Sequence, residues 1–323
     1  MTQPNPSALV DQSVREAGTV DDAKGESLWM GAWRRLRTNV AFLIGLAIVV
    51  AFLLLALVAP WVAPHDPIAG VMLDSVTPST PIPEAAPGHP LGGDNSGRDL
   101  LSRLIVGSQQ TLMVGVLATA GGLLGGLVLG TLAGAFGGWV DAVLSRILDT
   151  FLAIPLLLAG IVVMSMVEHI DLPGFGWLGR NIPTVALMLT IFGWTSVARI
   201  MRGSVLQAKQ ADYVTAARSM GASTGRIIVN HIIPNAIAPV IVIATISLGM
   251  FIVAEATPSY LGIGLDTEKV VSWGGDISEA QRVLRTNPEI MVWPSLALSL
   301  CVLSFMLLGD AVRDALDPKA RTR

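Results

Sequence analysis

The residues best suited to metal chemistry are the four histidines, His65, His89, His169 and His231, and their spacing argues against such a site. No two stand four apart on a helix and no cysteine cluster accompanies them, so no metal centre is expected. Nucleophilic chemistry fares no better, because Ser165 and His169 lack a recognisable third group to orient the base. None of the four lysines, at 24, 209, 269 and 319, follows a glycine, so the G-x-x-x-x-G-K-[ST] loop that cradles phosphates is missing. The chain is therefore expected to carry no catalytic residues and no cofactor, and to bind no ATP itself. Glu255 is the carboxylate that stands out, since it ends a long apolar run. There it must face protein or water and find a partner, or else lie at the outer interface.

What these residues sit in is a membrane protein. Of 323 residues 52% are hydrophobic and 14% charged, below the ~25% usual for soluble domains, and the mean hydropathy is +0.63. A formal net charge of −3 suggests no nucleic-acid partner. The single cysteine, Cys301, lies in an apolar run, where it packs as a small inert side chain and forms no intramolecular disulfide.

Uncharged runs at 38–64, 104–140, 150–167, 181–198, 232–254 and 290–309 are each near or above the ~20 residues a membrane helix needs, so six crossings are expected. Residues 1–37 read as a flexible cytoplasmic tail, neither signal peptide nor compact core. The segment 65–103 reads as an extracytoplasmic loop, because eight of the 19 prolines fall between positions 60 and 90 and forbid regular helix. It should close on a short amphipathic helix before the second span. A permease-like core then covers 104–310, with a polar inner loop at 204–234 and an outer loop at 256–289, and 311–323 form a cytoplasmic tail. This topology places fifteen of the 21 lysines and arginines inside, in keeping with the positive-inside rule. Within the second run Gly122, Gly126, Gly130, Gly134 and Gly138 recur every fourth residue and should form a packing face for a neighbouring helix. Pro155 should kink the third span.

The polar inner loop is rich in helix formers from about residue 204 to 219, and Gly221 then offers a stop. Ser223 is placed to cap a second short helix, so a helix, a glycine turn and another helix are expected at the membrane surface. Small side chains at its tip would let it lie deep in a groove of another protein. Thr215, Ala216 and Ala217, three residues, Gly221, nine residues and His231-Ile232-Ile233-Pro234 keep the full spacing of the E-A-A…G…I-x-L-P loop. The stretch thus resembles the coupling loop of bacterial ABC importer permeases, with Thr215 in place of the first Glu and His231 in place of Ile.

Three further segments resemble the same family, and more narrowly its C-type permease subunits from dipeptide, oligopeptide and nickel importers. They are His89-Pro90-Leu91-Gly92 with Asp94, Gly97-Arg98-Asp99 and Ser102-Arg103; Glu255-Ala256 with Ser259, Leu261-Gly262 and Ser272-Trp273-Gly274; and Gly309-Asp310 with Arg313-Asp314 and Asp317-Pro318. The resemblance implies a type I ABC importer permease fold in the bacterial plasma membrane, with both termini cytoplasmic. It implies a second, B-type permease, one or two ABC ATPase subunits holding ATP and Mg, an extracytoplasmic substrate-binding protein, and peptide cargo. Asp212, Tyr213, Thr215, Ala216, Ala217 and Gly221 would contact the ATPase, Pro234 would bend the chain back into the membrane, and Glu255, Ser259 and Trp273 would lie at the outer mouth of the pathway. Passage of nickel or another small solute is the alternative within the family. An ion-driven secondary carrier is the alternative outside it, but that would call for paired acidic or histidine residues in mid-span and often an internal repeat, and neither is present. A membrane scaffold would need no coupling loop.

Overall fold

The computed structural model describes residues 28–77, 80–167 and 179–316. Among them every regular element is helical, and the only strand-like pairs are isolated bridges in the first loop. Residues expected to lie within a flexible tail form α1 (Leu28–Leu36), because apolar and basic side chains alternate there at helical spacing. α2 (Val40–Val62) follows at once, its first turn capped by the Asn39 side chain, which accepts from the Phe42 N–H at 3.1 Å. Most of α2 remains exposed in the single chain, with Leu43, Ile44, Leu54 and Leu57 facing outward.

α3 (Leu100–Phe136) runs for 37 residues, about 55 Å, well beyond the ~30 Å apolar core of a bilayer. A separate amphipathic helix before the second span is therefore not formed; the helix is continuous from its Asp99 cap to Gly137. Next come α4 (Gly138–Ala153) and α5 (Leu156–Val167), bent by 83° with respect to each other. Pro155 does more than kink this span: with Ile154 extended before it, the helix breaks and restarts. α6 (Ile182–Ala208), capped by Asn181, leads to the polar inner loop with α7 (Asp212–Ser219). A stepped run, Thr224–Ile227, a π-helical Ile228–Ile232 and Ile233–Ala236, then joins α8 (Ala238–Tyr260). The outer loop carries α9 (Trp273–Ala280), and α10 (Glu289–Leu316) closes the described chain. Among the described residues five helices are long and apolar enough to cross a membrane, or up to six spans if the bent pair counts as one.

The glycine row finds its partner in α6. A Cβ on Gly126 would lie 2.5 Å from the Val197 Cβ, one on Gly130 2.5 Å from the Ala198 carbonyl oxygen, and one on Gly134 2.8 Å from the Val205 Cβ. Gly122 opens the row more loosely, 3.7 Å from Trp194. Gly138 does not belong to it, because the helix has already ended and both Gly137 and Gly138 adopt positive φ in the turn to α4. α2 and α8 both pack against α10, and α8 also packs against α3.

Candidate functional site

The polar loop between α6 and α8 is built as an anchored hairpin. The helix expected over about 204–219 is split: residues 204–208 end α6, the backbone turns at Lys209–Ala211, with Ala211 extended, and α7 starts at Asp212. Asp212 in its first turn and Arg218 in its last both complement the helix dipole. At its end Gly221 takes φ +82°, while the Ala222 N–H reaches the Ala217 carbonyl and the Gly221 N–H the Arg218 carbonyl, at 3.1 and 3.0 Å. That is a Schellman stop, which a Cβ would strain. Ser223 stands at the start of the next turn, but its hydroxyl makes no capping bond.

Val214 and Ala217 turn inward and pack with Met201, Val205, Ile227, Ile232 and Ala236, so Ala217 serves this core and does not present itself to a partner. Asp212, Tyr213, Thr215 and Ala216 are exposed, as are Met220, at 82%, and Gly221. Pro234 is exposed in the turn after the π-helical segment, where the Ile233 N–H reaches back to the Ile228 carbonyl. Two contacts made by cationic side chains tie the hairpin's root to the bundle. The Lys209 ammonium donates to the Ala135 carbonyl at 2.6 Å, and the Arg202 guanidinium grips the Asp141 carboxylate with two bonds.

At the opposite end of α3 the signature residues between 89 and 103 form a buried ionic lattice. Arg98 donates to Asp94 and to Glu279, and Arg103 donates through two nitrogens to one oxygen of Asp276 and through a third to the Pro67 carbonyl. Arg98 and Arg103 are 5% and 1% exposed. These bonds fasten the first loop and the start of α3 to α9, across more than 170 residues of sequence. Burial pushes the Asp276 carboxyl up, opposed by the Arg103 guanidinium. Burial would also raise Asp99, but hydrogen bonds from Ser102 and His89 outweigh it and hold that carboxyl below its ordinary value.

Glu255, Ser259 and Trp273 are all buried within the chain. Ser259 donates to Glu255 at 2.8 Å and accepts from the Leu265 N–H at 3.2 Å. The Trp273 indole donates to the Leu104 carbonyl at 3.0 Å and stands edge-on to Phe52. In the single chain these three lock the outer loop onto α3 and α8. The sequence reading missed one grouping altogether: His65 and His89, two of its four scattered histidines, meet beside Asp99. Their separation along a proline-rich loop gave no signal; only the fold closes it. His169 lies outside the described residues, as do 1–27 and 317–323 of the two tails.

Residues 126–322 match the family described as binding-protein-dependent transport system inner membrane component, and residues 27–77 match the N-terminal transmembrane domain of oligopeptide transport permease C. The oligopeptide transport system permease protein OppC of Bacillus subtilis is 33% identical, the match covering 98% of each chain. The dipeptide transport system permease protein DppC of Alkalihalophilus pseudofirmus is 31% identical over 94% of this chain and 93% of its own. The glutathione transport system permease protein GsiD of Pectobacterium atrosepticum is 34% identical over 94% and 95%. Among solved structures, an inward-facing form of the MetNI methionine ABC transporter aligns with TM-score 0.55 at 19% identity, over 66% of this chain and 96% of that one. Such a likeness speaks for the fold, a type I ABC importer permease. With every regular element among its described residues helical and with relatives that match nearly end to end, the chain belongs to the family of binding-protein-dependent transport system inner membrane components and is an ABC importer permease of the bacterial plasma membrane.

Proposed function

We propose that this permease forms half of a pathway for dipeptides or oligopeptides, paired with a second, homologous B-type permease. Cytoplasmic ABC ATPase subunits supply the energy from ATP and Mg held on their own chains, and an extracytoplasmic binding protein delivers the cargo. The termini and the α7 hairpin face the cytoplasm in this reading. The observation that carries it is the division of labour in the hairpin. Val214 and Ala217 hold it in the bundle core, while Asp212, Tyr213, Ala216, Met220 and Gly221 stay uncovered. A partner gripping the uncovered face would move α6 and α3 with it. Thr215 adds no charge, so contact at that point rests on shape and hydrogen bonding.

Site-directed crosslinking tests the reading. Cys301 is the chain's single cysteine and is buried, so Cys301→Ser gives a clean background. On it, Ala216→Cys and Tyr213→Cys should crosslink to an ATPase subunit in the assembled complex, in yields that change with nucleotide, and Ala217→Cys should not. Ala217→Cys crosslinking as strongly as Ala216→Cys, or no crosslink at 213 and 216, would speak against the docking face.

A further inference from the structure

Three parts of the first loop converge on one point: the chain just beyond α2, which carries His65; the 86–89 turn, which carries His89; and the cap of α3, Asp99. The two imidazoles stack with centroids 4.1 Å apart and planes 24° apart. His89 Nδ1 lies 2.8 Å from Asp99 Oδ1 and His65 Nδ1 lies 3.8 Å from Asp99 Oδ2. One candidate ligand atom from each residue falls within 4.8 Å of the other two.

The group is held from behind. Ser102 donates its N–H and its hydroxyl to Asp99 Oδ2 at 2.8 and 2.6 Å, and the Ser102 oxygen accepts the His65 N–H at 3.0 Å. The His89 N–H and carbonyl pair with Ala86 across the turn at 2.8 and 3.1 Å. Asp99 is thus fixed by Ser102, and the backbones that carry His65 and His89 are each held by hydrogen bonds.

One atom in this arrangement is unsatisfied. His65 Nδ1 is shut off from solvent and has no hydrogen-bond partner among the described residues. A buried ring nitrogen left so carries an uncompensated desolvation cost, which a bound cation would remove. A hydrogen bond to Asp99 alone would need a single histidine; here a second is stacked upon the first. The stack brings a second ring beside the same carboxylate, so two imidazoles and Asp99 place three ligating side chains in one small volume.

We infer that His65, His89 and Asp99 form a binding site for a divalent transition-metal cation of the zinc type, clamping the start of the first loop to its end. Two imidazole nitrogens and one carboxylate oxygen suit Zn2+ or Co2+ and do not suit Mg2+ or Ca2+, which call for more oxygen ligands. The His–Asp separations of 2.8 and 3.8 Å lie on either side of the ~3.3 Å edge of a tetrahedron with bonds of about 2 Å, and turning the two imidazoles out of their stack would let both lone pairs meet one ion. The proton that His89 shares with Asp99 leaves to solvent if Nδ1 becomes the ligand. The side chains of His65 and His89 are 29% and 17% exposed, so the far edges of both rings reach solvent while the atoms that would ligate lie beneath them.

The test uses the full chain in detergent, purified through a tag without histidine, stripped with EDTA and titrated with Co2+. One equivalent should bind with the visible absorption of four-coordinate cobalt, and Zn2+ should bleach it. Zn2+ should also raise the Tm of the wild-type chain. His65→Gln and His89→Gln should each weaken binding at least ~10-fold and abolish the Tm rise, while His231→Gln should bind as the wild type does. The wild-type titration stands even if a variant fails to fold. A wild-type chain that takes up no Co2+ or Zn2+ at micromolar concentration, or variants at 65 and 89 that bind as it does, would overturn the site and leave a hydrogen-bonded histidine pair only.

Discussion

The Lys209 ammonium reaches across the end of the bundle that carries the α7 hairpin and donates to the Ala135 carbonyl in the last turn of α3, at 2.6 Å. It satisfies a carbonyl that the ending helix leaves open and places a positive charge at the negative end of the helix dipole. Because Lys209 is also the residue where α6 gives way to the hairpin, the bond couples three elements at one point. Lys209→Met should lower stability by about 1 kcal/mol, since the group is partly exposed, and reduce Tm by ~2–4 °C. In proteoliposomes of the assembled importer, transport per ATP hydrolysed should fall while ATP hydrolysis itself persists. Unchanged coupling in that variant would show that the contact only trims the helix end.

The approach of α3 to α6 at backbone distance sets a second expectation. A Cβ at Gly130 would meet main-chain atoms of Ala198 that have no freedom to turn aside. Gly130→Val should cost at least about 1–3 kcal/mol and lower the yield of folded protein. Gly203→Ala, on α6 where the added methyl meets nothing within 4 Å, should be neutral or slightly stabilising. Thermal unfolding of the two in the same detergent separates the close approach from a general effect of removing glycine.

How far the sequence carried these conclusions depends on the range of the interaction. The spans were legible because a missing charge over some twenty residues is a local property, and so was the glycine row from Gly122 to Gly134. The face of α6 that meets the row was not, since α6 offers no complementary pattern beyond ordinary apolar residues. Pro155 announced a disturbance, but whether a proline kinks or breaks a span depends on what supports the freed carbonyls, which local sequence does not state. In the hairpin the spacing from Thr215 to Pro234 located the element. The inward turn of Ala217 needed the packing partners Met201 and Ile232 to become visible. The Arg98, Arg103 and His65 contacts join residues far apart in sequence, where periodicity carries no information.

Gly221 tests the hairpin as a mechanical part. Its φ of +82° lies where a β-branched residue is badly strained, yet a Cβ there would meet nothing within 4 Å, so the effect of substitution is conformational. Gly221→Val should distort the stop by about 1–2 kcal/mol or more and uncouple ATP hydrolysis from uptake, leaving affinity for the binding protein intact. Gly221→Asn, which tolerates this backbone region, should retain much of the coupling. If valine transports normally, the turn geometry does not transmit force.

The Arg103–Asp276 pair gives the last expectation. Arg103 is 1% exposed, and its three bonds fix both Asp276 and the Pro67 carbonyl. Removing one partner leaves the other charged and buried, so Arg103→Ala or Asp276→Ala should destabilise by about 3–5 kcal/mol. Replacing both by apolar residues of similar size, as in Arg103→Met with Asp276→Leu, removes the uncompensated charge and should recover much of that loss. The comparison decides what the lattice is for. A double variant that regains its Tm but not its transport would show that the ionic tie between α3 and α9 serves the motion of the outer loop; recovery of both would reduce it to one way of filling the space.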